Sequence, residues 1–141
     1  MIYTKNTKKA LNICFQAHKD QMDKSGCPYV FHPFHLAEQM DDEQSVIVAL
    51  LHDVVEDTEM TFEDLEKEFD HEIIEALKLL THEDDVDYFE YVGKIKENKL
   101  ARKVKLADLK HNSDLTRLDV ITDKNMQRYE KYQNAIQILE G

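Results

Sequence analysis

The run LLHDVVEDT, residues 50–58, places four ionisable side chains, His52, Asp53, Glu56 and Asp57, directly after the apolar stretch Val46 to Leu51. Burying an unpaired charge costs several kcal/mol. A helix carrying these groups therefore either emerges into water or delivers them to a cation. Residues four apart share a helical face, which sets His52 beside Glu56 and Asp53 beside Asp57. Two adjacent strips then each carry a potential ligand followed, one turn later, by a carboxylate. His52 and Asp53 can reach one ion lying between their strips, and further ligands must come from elsewhere. YVFHPFH offers His32 and His35, and KVKLADLKHN offers Asp108 and His111. In the second segment Lys105, Asp108 and Asn112 share a polar strip, next to an apolar stripe of Leu100, Val104 and Ala107. The small apolar Ala107 beside Asp108 implies a carboxylate held near the core.

Helices must position these groups. Only 3 glycines and 2 prolines interrupt the chain, and almost no alternating β-branched pattern is present. Leu11, Cys14, Phe15, His18 and Met22 form the apolar stripe of a first helix. DKSGCPY (23–29) reads as a loop, followed by a helix from about Phe31 that tolerates Pro33 near its start. A third helix is expected from Asp42 through Asp57. Thr61 to Asp64 reads as a capped helix start; Phe62, Leu65 and Phe69 line that helix, and Ile73, Ile74 and Leu77 the next. THEDDVD is a polar connection. Helices marked by Phe89, Val92 and Ile95, by Leu100 and Val104, and by Met126, Tyr129, Tyr132, Ile136 and Leu139 complete an all-α bundle of about six to eight helices.

The 141 residues suit a single domain, 1–141, with one sizeable core. The longest apolar run is six residues, far below the ~20 that span a membrane. MIYTKNTKKA lacks the apolar region of a signal peptide. Two cysteines make no disulfide framework, so a reduced, cytoplasmic setting is expected. With 18 Lys and Arg against 29 Asp and Glu, the formal net charge is −11, which disfavours nucleic acid or an anionic membrane surface as a partner. A small phosphorylated ligand remains compatible, because a local metal ion outweighs the distant field.

AHKDQMDKSGCPYVFHP, ALLHDVVEDT followed by TFEDL, and VKLADLKHN together resemble the HD-domain hydrolases of the stringent-response alarmone (p)ppGpp, over about Lys8 to Leu118. The resemblance implies a small stand-alone pyrophosphohydrolase, and the chain leaves no room for the synthetase domain of the long bifunctional enzymes. It further implies metal ligands at His32, His52, Asp53 and Asp108, with Mn²⁺ as the ion and Fe²⁺ or another first-row metal as a substitute. The donor set agrees: two imidazoles and two carboxylates suit such a borderline ion better than a thiolate zinc site does. By the same resemblance Glu56 and Asp57 are the catalytic acidic pair, while Lys24, Ser25 and Asn112 contact the nucleotide. The implied reaction removes the 3′-pyrophosphate of a (p)ppGpp-type nucleotide with an activated water. The alternatives are hydrolysis of another nucleotide phosphate, or a nucleotide-binding module without turnover.

Three positions depart from the family pattern. Asp23 stands where the family carries an Arg that stacks on the guanine base. Cys27 replaces a Glu before the loop proline, and Leu109 replaces the Arg that usually follows the KLAD motif. The metal set is intact, and the base-recognition surface is altered. Among the remaining histidines, His18 is expected to be a buried structural residue and His111 to pack. His71 and His82 are expected to be solvated, and His35 is a weaker ligand candidate. Tyr88, Phe89 and Tyr91 are expected in the core.

Overall fold

Capping residues set most of the helix starts. Thr4 and Thr7 form a reciprocal capping box at the head of α1 (Lys5–His18). After α2 (Phe31–Glu38), Asp42 caps α3 (Glu43–Leu51) by accepting Ser45 N at 2.8 Å and Ser45 Oγ at 2.7 Å. A single turn, α4 (Val54–Asp57), follows, then α5 (Phe62–Glu66) behind a second capping box of Thr61 and Asp64. The chain continues through α6 (His71–Leu80), α7 (Tyr88–Lys96) and α8 (Lys99–Asn112), the last capped by Asn98. A 3₁₀ turn (Leu115–Arg117) leads to α9 (Asp123–Glu140), capped by Thr122 and Asn125. The structure, a computed structural model, describes residues 1–141, and this all-α bundle contains no sheet. An isolated bridge between Met22 and Pro28 closes the loop after α1.

Helix α3 is the axis of the bundle. Every residue from Ser45 to Leu51 is buried, and the helix packs against α1, α2, α6 and α8. Each fully buried Val, Leu or Ile contributes roughly 1.5–3 kcal/mol. Together they outweigh the several kcal/mol that an ionisable group costs when drawn into the interior. The apolar run therefore anchors the chain so that His52 and Asp53 emerge at a fixed place inside the protein. Helix α8 lies against α3 with Ala101, Val104, Asp108 and Leu109 buried, and α9 covers α7 and α8.

Some stripe positions face outward. Cys14 and His18 are buried with Thr7 and Ala10, but Phe15 is 51% and Met22 63% exposed. The core face of α1 is rotated toward Thr7 and Ala10, small enough to let α3 approach closely. On α7 Tyr91 is buried and Tyr88 packs against the core. Phe89 instead points outward at 39% exposure. No helix is long and apolar enough to cross a membrane.

Candidate metal centre and adjoining cavity

The third helix is shorter than its sequence pattern implies. It stops at Leu51; His52 caps it, and Asp53 takes φ −111° and ψ 3° before α4 resumes. His52 and Glu56 are thus not stacked on one uninterrupted helix. The break turns both His52 and Asp53 toward α2 and α8, a convergence that a straight helix would not give.

Ligand atoms of His32, His52 and Asp53 all lie within 4.8 Å of one another, with both histidines buried. His52 Nδ1 sits 2.7 Å from Ala49 O, a contact that requires an N–H at Nδ1 and leaves Nε2 as a lone pair. That Nε2 is buried without a hydrogen-bond partner. It faces Asp53 Oδ2 at 3.1 Å and Asp108 Oδ1 at 3.5 Å. A lone pair facing two carboxylate oxygens in the interior demands a positive charge, either a proton or a metal ion. Burial alone pushes the His52 pKa down, but Asp53 and Asp108 overrule it and hold the imidazole well above its ordinary value. The same demand, met by a cation with open coordination positions, suits a divalent metal.

Asp108 Oδ1 lies 2.8 Å from His32 Nε2 and accepts Asn112 Nδ2 at 3.0 Å. Its Oδ2 pairs with Lys105 Nζ at 3.0 Å. Asp108 thus borders both histidines while lying outside the mutually close group of three. Burial opposes its ionisation, yet Lys105 and the two histidines hold its carboxyl well below the usual range. Burial opposes Asp53 likewise, and His52 beside it keeps it ionised.

Outer partners orient these ligands, as they do around most metal sites. The Tyr29 hydroxyl donates to Asp53 Oδ2. The Nδ1 atoms of His32 and His111 share a proton across 2.7 Å, and the two rings are stacked 5.0 Å apart. His111 in turn touches the ring of exposed His35 at 4.2 Å. Lys105 is inserted beneath the Tyr91 ring, 5.3 Å from its centroid. Of these, Tyr29 has the fainter sequence signal, a position three residues before His32. Lys105 is marked in the sequence as the i, i+3 neighbour of Asp108.

Glu56 and Asp57 lie at the mouth of this centre, with side chains open to solvent. Glu56 Oε1 accepts the His82 backbone N–H at 3.0 Å. Desolvation by the surrounding protein and the charge of Asp53 raise both carboxyls, Asp57 to about 6. His82 itself is half-buried rather than solvated, because its ring stacks on Tyr91 and Nε2 contacts Val86 O at 2.7 Å. His71 is solvated as expected. His18 is fully buried against Tyr29, at 4.8 Å between ring centroids.

A cavity of about 280 Å³ adjoins the centre through Tyr29 and Asn112. Lys24, Ser25 and Arg128 line it, with the rings of Tyr129 and Tyr132 on the α9 side. The Lys24 pKa is lowered by partial burial and by the nearby Arg128, Lys124 and Lys131. Positive charge is therefore gathered at this rim of an otherwise acidic protein. The Ser25 hydroxyl donates to Asp23 Oδ1 at 2.6 Å, so it is spent on the loop's own geometry. Gly26, at φ 85°, supplies the left-handed turn that the loop needs.

The HD domain family model matches residues 10–121. The guanosine-3′,5′-bis(diphosphate) 3′-pyrophosphohydrolase of Borreliella burgdorferi is 34% identical over 144 residues, covering 90% of this chain and 21% of that protein. The bifunctional (p)ppGpp synthase/hydrolase SpoT of Escherichia coli K12 is 37% identical over 78 residues, 52% of this chain and 11% of that one. The chain thus spans about a fifth or less of these curated relatives' length. A solved structure of a metazoan ortholog of SpoT, described as hydrolysing ppGpp and acting in starvation responses, superposes with a TM-score of 0.78. It is 26% identical and covers 100% of this chain and 89% of that one. The His32–His52–Asp53 cluster, with both histidines buried, suits the metal-dependent hydrolase chemistry of such proteins. With the family match extending over most of its length, the chain belongs to the HD-domain family and is homologous to the (p)ppGpp hydrolases.

Proposed function

We propose that the protein removes the 3′-pyrophosphate of a (p)ppGpp-type nucleotide, with Mn²⁺ held by His32, His52, Asp53 and Asp108. The observation that carries this reading is the buried His52 Nε2 lone pair, facing two carboxylates beside a cation-rimmed cavity. The chemistry such an ion supplies when bound is polarisation of a phosphate oxygen and acidification of a water.

This chain's own residues do the rest. Glu56 and Asp57 exchange protons with the attacking water and the leaving group; burial and the charge of Asp53 raise both carboxyls, Asp57 to about 6, where either form is available. Tyr29 holds Asp53 in place through its hydroxyl. Lys105 neutralises Asp108 on the side away from the histidines. Lys24 and Asn112 bind the nucleotide, with Ser25 shaping the loop that carries Lys24. The substrate is a small nucleotide rather than nucleic acid or a membrane component, in a reduced, cytoplasmic setting that suits the free Cys14 and Cys27.

One observation favours a second reading, another nucleotide phosphate: the loop carries Asp23 where the family pattern has Arg. A phosphate- and pyrophosphate-release screen with Mn²⁺ across ppGpp, GTP, GDP, ATP and nucleoside monophosphates separates the two. Release of pyrophosphate from ppGpp above all others is expected. Turnover of another nucleotide but not ppGpp would transfer the reading to that substrate. Mn²⁺ and nucleotide binding with no release from any would reduce the protein to a binding module.

A further inference from the structure

Asp23 does not face the cavity as a free charge. Its Oδ2 accepts Arg117 Nη2 at 3.0 Å, across 94 residues of sequence. Its Oδ1 is taken by Ser25 N at 2.8 Å, Ser25 Oγ at 2.6 Å and Cys27 N at 3.0 Å. Arg117 is held from a second side, because Nη1 donates to His111 O at 2.9 Å. The guanidinium is therefore pinned at two nitrogens, and both Asp23 and Arg117 line the cavity. Its remaining N–H donors and its flat face are available to a ligand.

From this geometry we infer that Arg117 is a specificity-determining residue that forms one wall for the planar base of the nucleotide, and that Asp23 is the positioning residue that holds it. The inference rests on the nucleotide reading above and assigns the base to a guanidinium from the 3₁₀ turn, not from the loop. Three features of the cavity support it. The phosphate-attracting cations Lys24 and Arg128 share the cavity with Tyr129 and Tyr132, so charge for phosphates and flat apolar surface for a ring occur together. Arg117 is 23% exposed, enough to meet a ligand and too little to swing freely. A guanidinium fixed before binding loses little rotamer freedom when a ring stacks on it, which preserves the gain of the contact. The departure at Asp23 is thus matched by Arg117, which lies directly against it in the cavity lining.

The expectation for Asp23→Arg follows. With a free Asp23, an Arg there would improve base binding. Because Asp23 is already paired, the new guanidinium would oppose Arg117 and expel it from its place.

The test measures binding of GDP and of base-free ribose 5-diphosphate by calorimetry, for wild type, Arg117→Lys, Arg117→Met, Asp23→Asn and Asp23→Arg. Wild type should bind GDP on the order of tenfold more tightly than ribose 5-diphosphate, the range of a cation–π and planar contact. Arg117→Met and Arg117→Lys should erase most of that ratio, lowering GDP affinity far more than ribose 5-diphosphate affinity. The lysine keeps the charge opposite Asp23 and lacks the planar face, so its failure to restore GDP binding distinguishes recognition from a structural ion pair. Asp23→Asn should lose part of the ratio, and Asp23→Arg should lose more. Equal weakening of both ligands, full GDP affinity in Arg117→Lys, or improved GDP binding in Asp23→Arg would each overturn the assignment. Absence of ppGpp hydrolysis in the release screen would sink the proposed substrate without touching this ratio.

Discussion

The candidate metal corner and the proposed base corner of the site are built in opposite ways. His32, His52 and Asp108 are buried, and they come from α2, the end of α3 and α8, elements locked together by the core. Asp23 and Arg117 come from a loop and a 3₁₀ turn, and one ion pair with its flanking hydrogen bonds joins them in the cavity lining. In the first corner His52 Nε2 faces the carboxylates of Asp53 and Asp108, a crowding that a proton or a metal ion completes. In the second corner every charge already has a partner, so the protein is complete and a ligand is read by surfaces left over. On the proposed function, the difference places reactivity in the rigid core and selectivity in connections that can vary without disturbing it.

The sharpest way to break this contrast is Asp53→Ala. Divalent-ion binding measured by calorimetry should be lost and phosphohydrolysis should fall to background, while the Asp23–Arg117 corner keeps its nucleotide affinity. Retained ion binding in this variant would move the metal away from the HD pair.

The next largest effect is on stability. Lys105 and Asp108 form a mostly buried pair, with side chains 13% and 7% exposed, and removing one member of a fully buried pair costs about 3–5 kcal/mol, the upper bound here. Lys105→Met should therefore lower the urea midpoint of the metal-free protein sharply. Asp23→Asn, which breaks a more exposed pair, should cost far less. Similar losses in both would erase the distinction between a packed corner and a surface one.

Glu56→Gln should leave ion binding intact and lower kcat by roughly a hundredfold or more, the usual range for a general acid–base group. Wild-type turnover in this variant would leave Asp57 alone to handle the proton.

The smallest effect lies behind the metal corner. Burial lowers the His18 pKa in the folded protein, and its contact with Gln21 offsets this only partly. The unfolded chain therefore binds more protons than the folded one below the ordinary histidine value of about 6.5. Stability from this group is fully present above that pH and is lost as pH falls through the folded pKa. In urea titrations His18→Gln should flatten the fall in stability on acidification from pH 7 toward 5. An unchanged slope would show that the folded protein takes up a proton at His18 as readily as the unfolded chain does.

Local chemistry is legible in the order of the residues alone. Thr61 with Asp64 as a cap, the buried run from Val46 to Leu51, and the register of Lys105, Asp108 and Asn112 all depend on residues within two turns of one another. Spacing and side-chain type suffice for these, and the all-α class follows from them. The likeness of the HP, HD and KLAD segments to one family identified which groups to look for. It did not reveal how the chain presents them.

The tertiary structure decided the rest, because helix packing brings together residues whose separation in sequence carries no pattern. His32 meets Asp108 across 76 residues and His111 across 79. The break at His52 and Asp53 occurs inside a segment whose periodicity continues straight through it. Periodicity records which residues are apolar, not whether the backbone turns between them. Phe15 and Phe89 face outward for a related reason: an apolar stripe specifies a face, and only the neighbouring helix fixes which part of it is covered. The pairing of Asp23 with Arg117 is the clearest case. In sequence Asp23 is a charge out of place; in the fold it is the acceptor that holds a guanidinium at the cavity wall.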